Sequence, residues 1–139
     1  MQEVYPSYYS YCGRPLRVEK APDGLTIGFI LEPLDGHFKR ATSRIIARAE
    51  CASNDADVWQ MDRDEFIIDA ERTRAQSVSG VGPIFSLYAV VLDLDAKVKQ
   101  ERRTYRDEER KFIRSILFRT YAMWEAEAEF VDPAPIPDA

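Results

Sequence analysis

The stretch Leu16-Arg17-Val18-Glu19-Lys20-Ala21-Pro22-Asp23-Gly24-Leu25-Thr26-Ile27-Gly28-Phe29-Ile30-Leu31 decides the fold class. Leu16 and Val18 alternate with Arg17 and Glu19. After Ala21-Pro22-Asp23-Gly24, residues Leu25, Ile27, Phe29 and Leu31 share one face. A period of two belongs to a strand. Proline presets φ for a turn, and glycine accepts the positive φ at its exit. The spacing predicts an antiparallel β-hairpin with strands at about 14–20 and 25–31. Ile30, on the opposite face from Phe29, implies cover on both sides of the sheet.

Downstream of the hairpin, Leu34-Asp35-Gly36 breaks the pattern and the period changes to about 3.6. One helix is expected from His37 to about Glu50, with Phe38, Ala41, Thr42, Ile45, Ile46 and Ala49 on one side. Val58-Trp59-Gln60-Met61 suits a short third strand. Asp62 with Glu65 reads as a variant of the capping box opening a second helix, in which the Asp62 side chain accepts from an orphan N–H of the first turn and Glu65 reaches back. That helix carries Phe66, Ile67 and Ala70 on one face and a polar run, Glu71-Arg72-Thr73-Arg74, towards its end. Pro83 fits the first turn of a third helix. From Ile84 to about Val98 strand propensity competes with helix, but Ser86, Asp93, Lys97 and Gln100 form one narrow polar stripe. That spacing favours a helix buried on most sides. Thr104 with Asp107, Glu108 and Glu109 supplies a cap and suitably negative charge for a last helix to about Glu127.

These elements predict an α+β fold, an N-terminal antiparallel β-hairpin with a candidate third strand packed against about four helices. Since two strands alone are marginal, the third strand or a second copy of the chain is expected to complete the layer. One domain is expected over 1–131 and an extended Pro-rich tail over 132–139. A chain of 139 residues, 45% hydrophobic and 31% charged, can bury a core without staples. No apolar run reaches the roughly 20 residues that span a bilayer, and the N-terminus lacks a basic leader and an apolar signal core. A soluble, cytoplasmic protein is expected. Cys12 and Cys51 are too few for a disulfide framework and are read as reduced, small apolar groups.

Residues that could carry chemistry are sparse. His37, the single histidine, follows Asp35-Gly36 at the expected helix start, where a positive dipole would favour neutral imidazole. Asp55, Asp57, Asp62, Asp64 and Glu65 form an acidic cluster without the spacing of a calcium loop. Gly80-Val81-Gly82 lacks the rest of a phosphate loop. Asp93 and Asp95 would share a face only on a strand. The sequence implies no metal site and no cofactor, and ranks binding above catalysis.

Three features point to binding. Phe118 and Tyr121 fall off the expected core face of the last helix, beside Arg114, as in a protein–protein contact. The tyrosines Tyr5, Tyr8, Tyr9 and Tyr11 offer rigid area with polar tips, Tyr8 and Tyr9 above all. Arg40, Arg44 and Arg48, at i, i+4 and i+8 with Lys39, would suit a nucleic-acid helix, against a net charge of −5 that disfavours one. The expectation is a non-enzymatic adaptor, inhibitor or regulatory subunit that binds another protein, itself a homodimer. A nucleic-acid-binding regulator is the alternative. A small enzyme or ligand-binding domain with a pocket between sheet and helices, using His37 or Asp93 and Asp95 as polar groups, comes third.

Overall fold

The computed structural model describes residues 4–51 and 55–127. The tail read at 132–139 lies outside them. The fold is α+β. Five strands, β1 (Ser7–Tyr11), β2 (Arg14–Lys20), β3 (Thr26–Leu31), β4 (Phe38–Arg40) and β5 (Val58–Met61), accompany four helices, α1 (Ser43–Cys51), α2 (Arg63–Ser77), α3 (Pro83–Gln100) and α4 (Asp107–Glu127). The strands form one antiparallel sheet in the order β4-β3-β2-β1-β5. The described residues fall into two compact units divided inside α2: unit 1 runs through Phe66, and unit 2 begins at Ile67.

Unit 1 is built on the expected hairpin. Gly24 adopts φ 86°, Leu25 N–H bonds back to Asp23 Oδ1 at 3.0 Å, and β2 pairs β3 with Leu16 opposite Ile30. A second hairpin was hidden in the tyrosine-rich segment. Cys12 and Gly13 adopt φ 50° and 81°, the two positive values that a two-residue primed turn demands. They join β1 to β2 with Tyr11 opposite Arg14. The expected third strand is present as β5, paired with β1. The sheet is therefore completed within the chain.

The helix expected from His37 is corrected. Gly36 at φ 78° and the bond from His37 N–H to Asp35 Oδ1, 2.9 Å, close a loop that returns the chain as β4, with Phe29 opposite Arg40. Helix α1 starts only after Thr42, whose Oγ1 accepts from Ile45 N–H at 3.2 Å. Ile45, Ile46 and Ala49 bury one side of α1. They pack with Tyr9, Tyr11, Leu16, Val18, Ile30 and Val58 on one sheet face. On the other face Phe66 lies 4.7 Å from Tyr8 and 5.6 Å from Phe38, ring to ring. Both faces are covered, as Ile30 implied, with α1 on the face of Ile30.

In unit 2, α3 packs along α4. The helical reading of 84–98 holds, but its burial was overstated. Ile84, Tyr88, Val91 and Val98 are buried, whereas Val90 and Leu92 are exposed. The turn out of α3 is a Schellman motif: Arg103 N–H reaches Val98 O at 3.3 Å and Arg102 N–H reaches Lys99 O at 3.1 Å. Arg102 sits at φ 52°, where glycine is usual, at a cost of roughly 1 kcal/mol. Helix α4 opens on Arg106, not Thr104. Arg106 N–H donates to Glu109 Oε1 at 2.8 Å, the reaching-back half of a capping box.

Gly28 sets how closely α1 approaches β3. A Cβ there would lie 2.8 Å from Ile46 Cγ1 and 3.3 Å from Ala41 Cβ. Gly28→Ala should destabilise the protein by about 1–3 kcal/mol through overpacking, read as a lower urea midpoint. An unchanged midpoint would mean that α1 yields freely.

Candidate functional site

Unit 2 holds two polar clusters that the sequence did not single out. In the first, Glu71 and Arg74 of α2 form an ion pair of 2.7 Å with side chains almost wholly enclosed. Tyr88 of α3 donates its hydroxyl to Glu71 Oε1 at 2.6 Å, and Trp124 Nε1 of α4 donates to Tyr88 Oη at 2.7 Å. The Arg74 guanidinium stacks 4.3 Å over the Trp124 ring. Burial foremost, then the Glu71 charge, pushes the Tyr88 phenol far above its ordinary pKa, so it remains a donor. Both Glu71 oxygens are engaged and the residue is 0% exposed. A solute cannot reach this carboxylate, and the cluster serves to bind three helices together.

The second cluster opens to solvent. Arg72 Nη1 of α2 meets Asp95 Oδ2 of α3 at 2.5 Å, and the Tyr105 hydroxyl donates to the other Asp95 oxygen. Beside them lies a pocket of about 260 Å³ lined by Ile68, Arg72, Tyr105, Arg110, Ile113, Arg114 and Leu117. Val91, Ile113, Ile116 and Leu117 form the core beneath, with Ile68, Leu87, Leu94 and Tyr105 packed against it. Arg110, Ile113, Arg114 and Leu117 follow one another at i, i+3, i+4 and i+7, so α4 alone supplies one cationic and apolar stripe. The Arg114 guanidinium lies 4.7 Å over the Phe118 ring.

Of the expected contact residues, Arg114 lines this pocket and lies over half-buried Phe118, one turn further along α4. Tyr121 is 7% exposed and Tyr9 8%, so both are packing residues and are withdrawn from any surface. Tyr8 is half-buried in β1 against Phe66. Phe112 of α4 is 49% exposed.

The basic stripe is dissolved by the strand at β4. Lys39 and Arg40 are strand neighbours whose side chains take opposite faces, while Arg44 and Arg48 lie on α1. Lys39 bonds Asp35 at 2.8 Å, Arg40 Nε is buried, and Arg48 bonds Asp55 at 3.0 Å. His37 lies in a hairpin loop rather than at a helix N-terminus. Cys12 and Cys51 are free, as the reading of reduced cysteines expected, and both are exposed. On the helix, Asp93 is exposed while Asp95 is engaged as described. Among the described residues no three His, Cys, Asp or Glu side chains converge as for a metal, and no helix is long and apolar enough to cross a membrane.

A charge asymmetry was legible in the sequence and marks the same region. Residues 97–119 hold nine Lys and Arg against four Asp and Glu, in a chain with 19 basic and 24 acidic residues. No protein-family model, curated protein or solved structure matches the chain.

Glu71→Ala, which strands Arg74 in the interior, should cost about 3–5 kcal/mol, and Tyr88→Phe about 1–3 kcal/mol, by urea denaturation. Equal, small losses would mean that water reaches the cluster. The Arg103 guanidinium, bonded at 2.7 Å, and then the Arg106 N–H hold Glu109 down at about 2, against an ordinary 4.5. A carboxylate depressed in the folded state contributes stability above its unfolded pKa and loses it as pH falls through the folded one. Stability should therefore decline between about pH 4.5 and 2, with a gentler slope in Glu109→Gln. Identical acid profiles would contradict the assignment.

Proposed function

We propose that the chain is a non-enzymatic protein-binding domain whose contact surface is the arginine-rimmed pocket of unit 2. The observation that carries this reading is the join of an apolar floor, Ile68, Ile113 and Leu117, to a rim of Arg72, Arg110 and Arg114. Protein contacts are enriched in arginine and aromatic side chains set around apolar hollows that a partner residue fills. Arg114 lying on Phe118 adds such a pair at the edge.

Pre-organisation supports the same surface. Arg72 is held by Asp95, which Tyr105 also grips, so little rotamer freedom is left to lose on association. Affinity capture with the whole chain, compared between wild type and Arg114→Glu, tests the assignment. One or a few proteins should be enriched by the wild type, depleted roughly tenfold with the variant, and bound again by the wild type once purified. The same proteins in the same amounts with both chains would remove this pocket from the function.

A further inference from the structure

We infer that the occupant of the unit 2 pocket is a single bulky apolar side chain carried on an acidic segment of another protein. This rests on the pocket being a contact surface, as proposed above, and specifies its partner.

Size comes first. About 260 Å³ is below the ~300–1,000 Å³ usual for small-molecule sites. A leucine, methionine or phenylalanine side chain fits such a hollow, and the apolar floor rewards burial of its surface by roughly 1.5–3 kcal/mol. A charged or strongly hydrated group gains nothing there.

Charge comes second. The protein is acidic overall, yet the stretch around the pocket is basic: nine Lys and Arg against four Asp and Glu between residues 97 and 119. Lys97, Lys99, Arg102, Arg106, Lys111 and Arg119 are all exposed. Of the four acids, Glu101 and Glu109 bond Arg103, and Asp107 bonds Arg110. The fourth, Glu108, is exposed; nine bases less four acids leave this stretch a surplus of five positive charges, which favours an acidic partner. Arginine is also the residue that takes a carboxylate bidentately.

Geometry joins the two. Arg110 and Arg114 stand one turn apart on α4 with Ile113 and Leu117 between and beyond them, and Arg72 faces them from α2. A segment laid across this rim places its apolar residue on the floor and acidic neighbours on the guanidiniums. A nucleic-acid backbone could pair with the same arginines, but its phosphates would leave the apolar floor unfilled. The floor decides for a peptide.

The test is to pan a random-peptide phage library on the immobilised full chain and measure the selected peptides in solution by fluorescence anisotropy. The selected sequences should carry Leu, Ile, Met or Phe flanked by Asp or Glu. Arg110→Glu and Arg114→Glu, both at exposed positions, should each weaken binding on the order of tenfold while leaving the thermal midpoint in place. Replacing the peptide's acids by lysine should restore binding to the double variant. Apolar peptides without acids, still lost with Arg114→Glu, would overturn the acidic partner but leave the contact surface standing. A library that yields no pocket-dependent peptide, while mixed-sequence RNA binds with steep salt dependence, would overturn both.

Discussion

The carboxylate of Glu71, enclosed and answered on every side, is the constraint on which unit 2 depends. It receives Arg74 from its own helix and Tyr88 from α3, and Tyr88 in turn receives Trp124 from α4. A buried charge costs several kcal/mol when its partners are removed, whereas the intact pair adds little net stability over a well-packed apolar substitute. What such a cluster contributes is register. Only one rotation of each helix brings the four groups into bonding distance, so α2, α3 and α4 are fixed about their own axes as well as packed. Ile84, Phe85 and Met123 close the apolar surround with Ala75.

That register passes to the pocket along α3. Tyr88 and Asp95 are seven residues apart, two turns on one face, roughly 10 Å along the axis. The first grips Glu71 and the second grips Arg72, the very next residue of α2. Helix α2 is therefore held at two levels by one face of α3. The inner level is sealed, while the outer level leaves a guanidinium at the rim of a hollow. Rim arginines whose positions are set before a partner arrives lose less entropy on binding, and this links the closed cluster to the open one.

Sequence reading reached the local features and missed the tertiary ones. The β2–β3 hairpin, the Asp62–Glu65 box (2.8 and 3.3 Å) and the helical nature of 84–98 rest on turn residues, caps and periodicity, and all are present. The β4 strand reads as helix because Phe38 and Ala41 fall, at helical spacing, on the same side as Ile45, Ile46 and Ala49. The true start signal, Thr42, lies inside that run. The β1 strand was overlooked because its turn is Cys12-Gly13, a weaker signal than Asn-Gly, although Tyr9 and Tyr11 alternate with Tyr8 and Ser10. Glu71 and Arg74 looked like a solvated helix end. Nothing local distinguishes a buried ion pair from an exposed one at the same spacing, since burial is decided by Tyr88 and Trp124 from far along the chain. Arg114 and Phe118 were legible at the site because they share one helix, while Arg72 and Tyr105 join them only in space.

The most direct measurement is an NMR titration of the full chain, followed through arginine side-chain N–H and isoleucine and leucine methyl signals. The probe is a short peptide carrying one leucine flanked by glutamates. Shifts confined to Arg72, Arg110 and Arg114 together with Ile68, Ile113 and Leu117 are the expected result. Shifts at Arg44 and Arg48 instead, or none at any peptide concentration, would contradict the account.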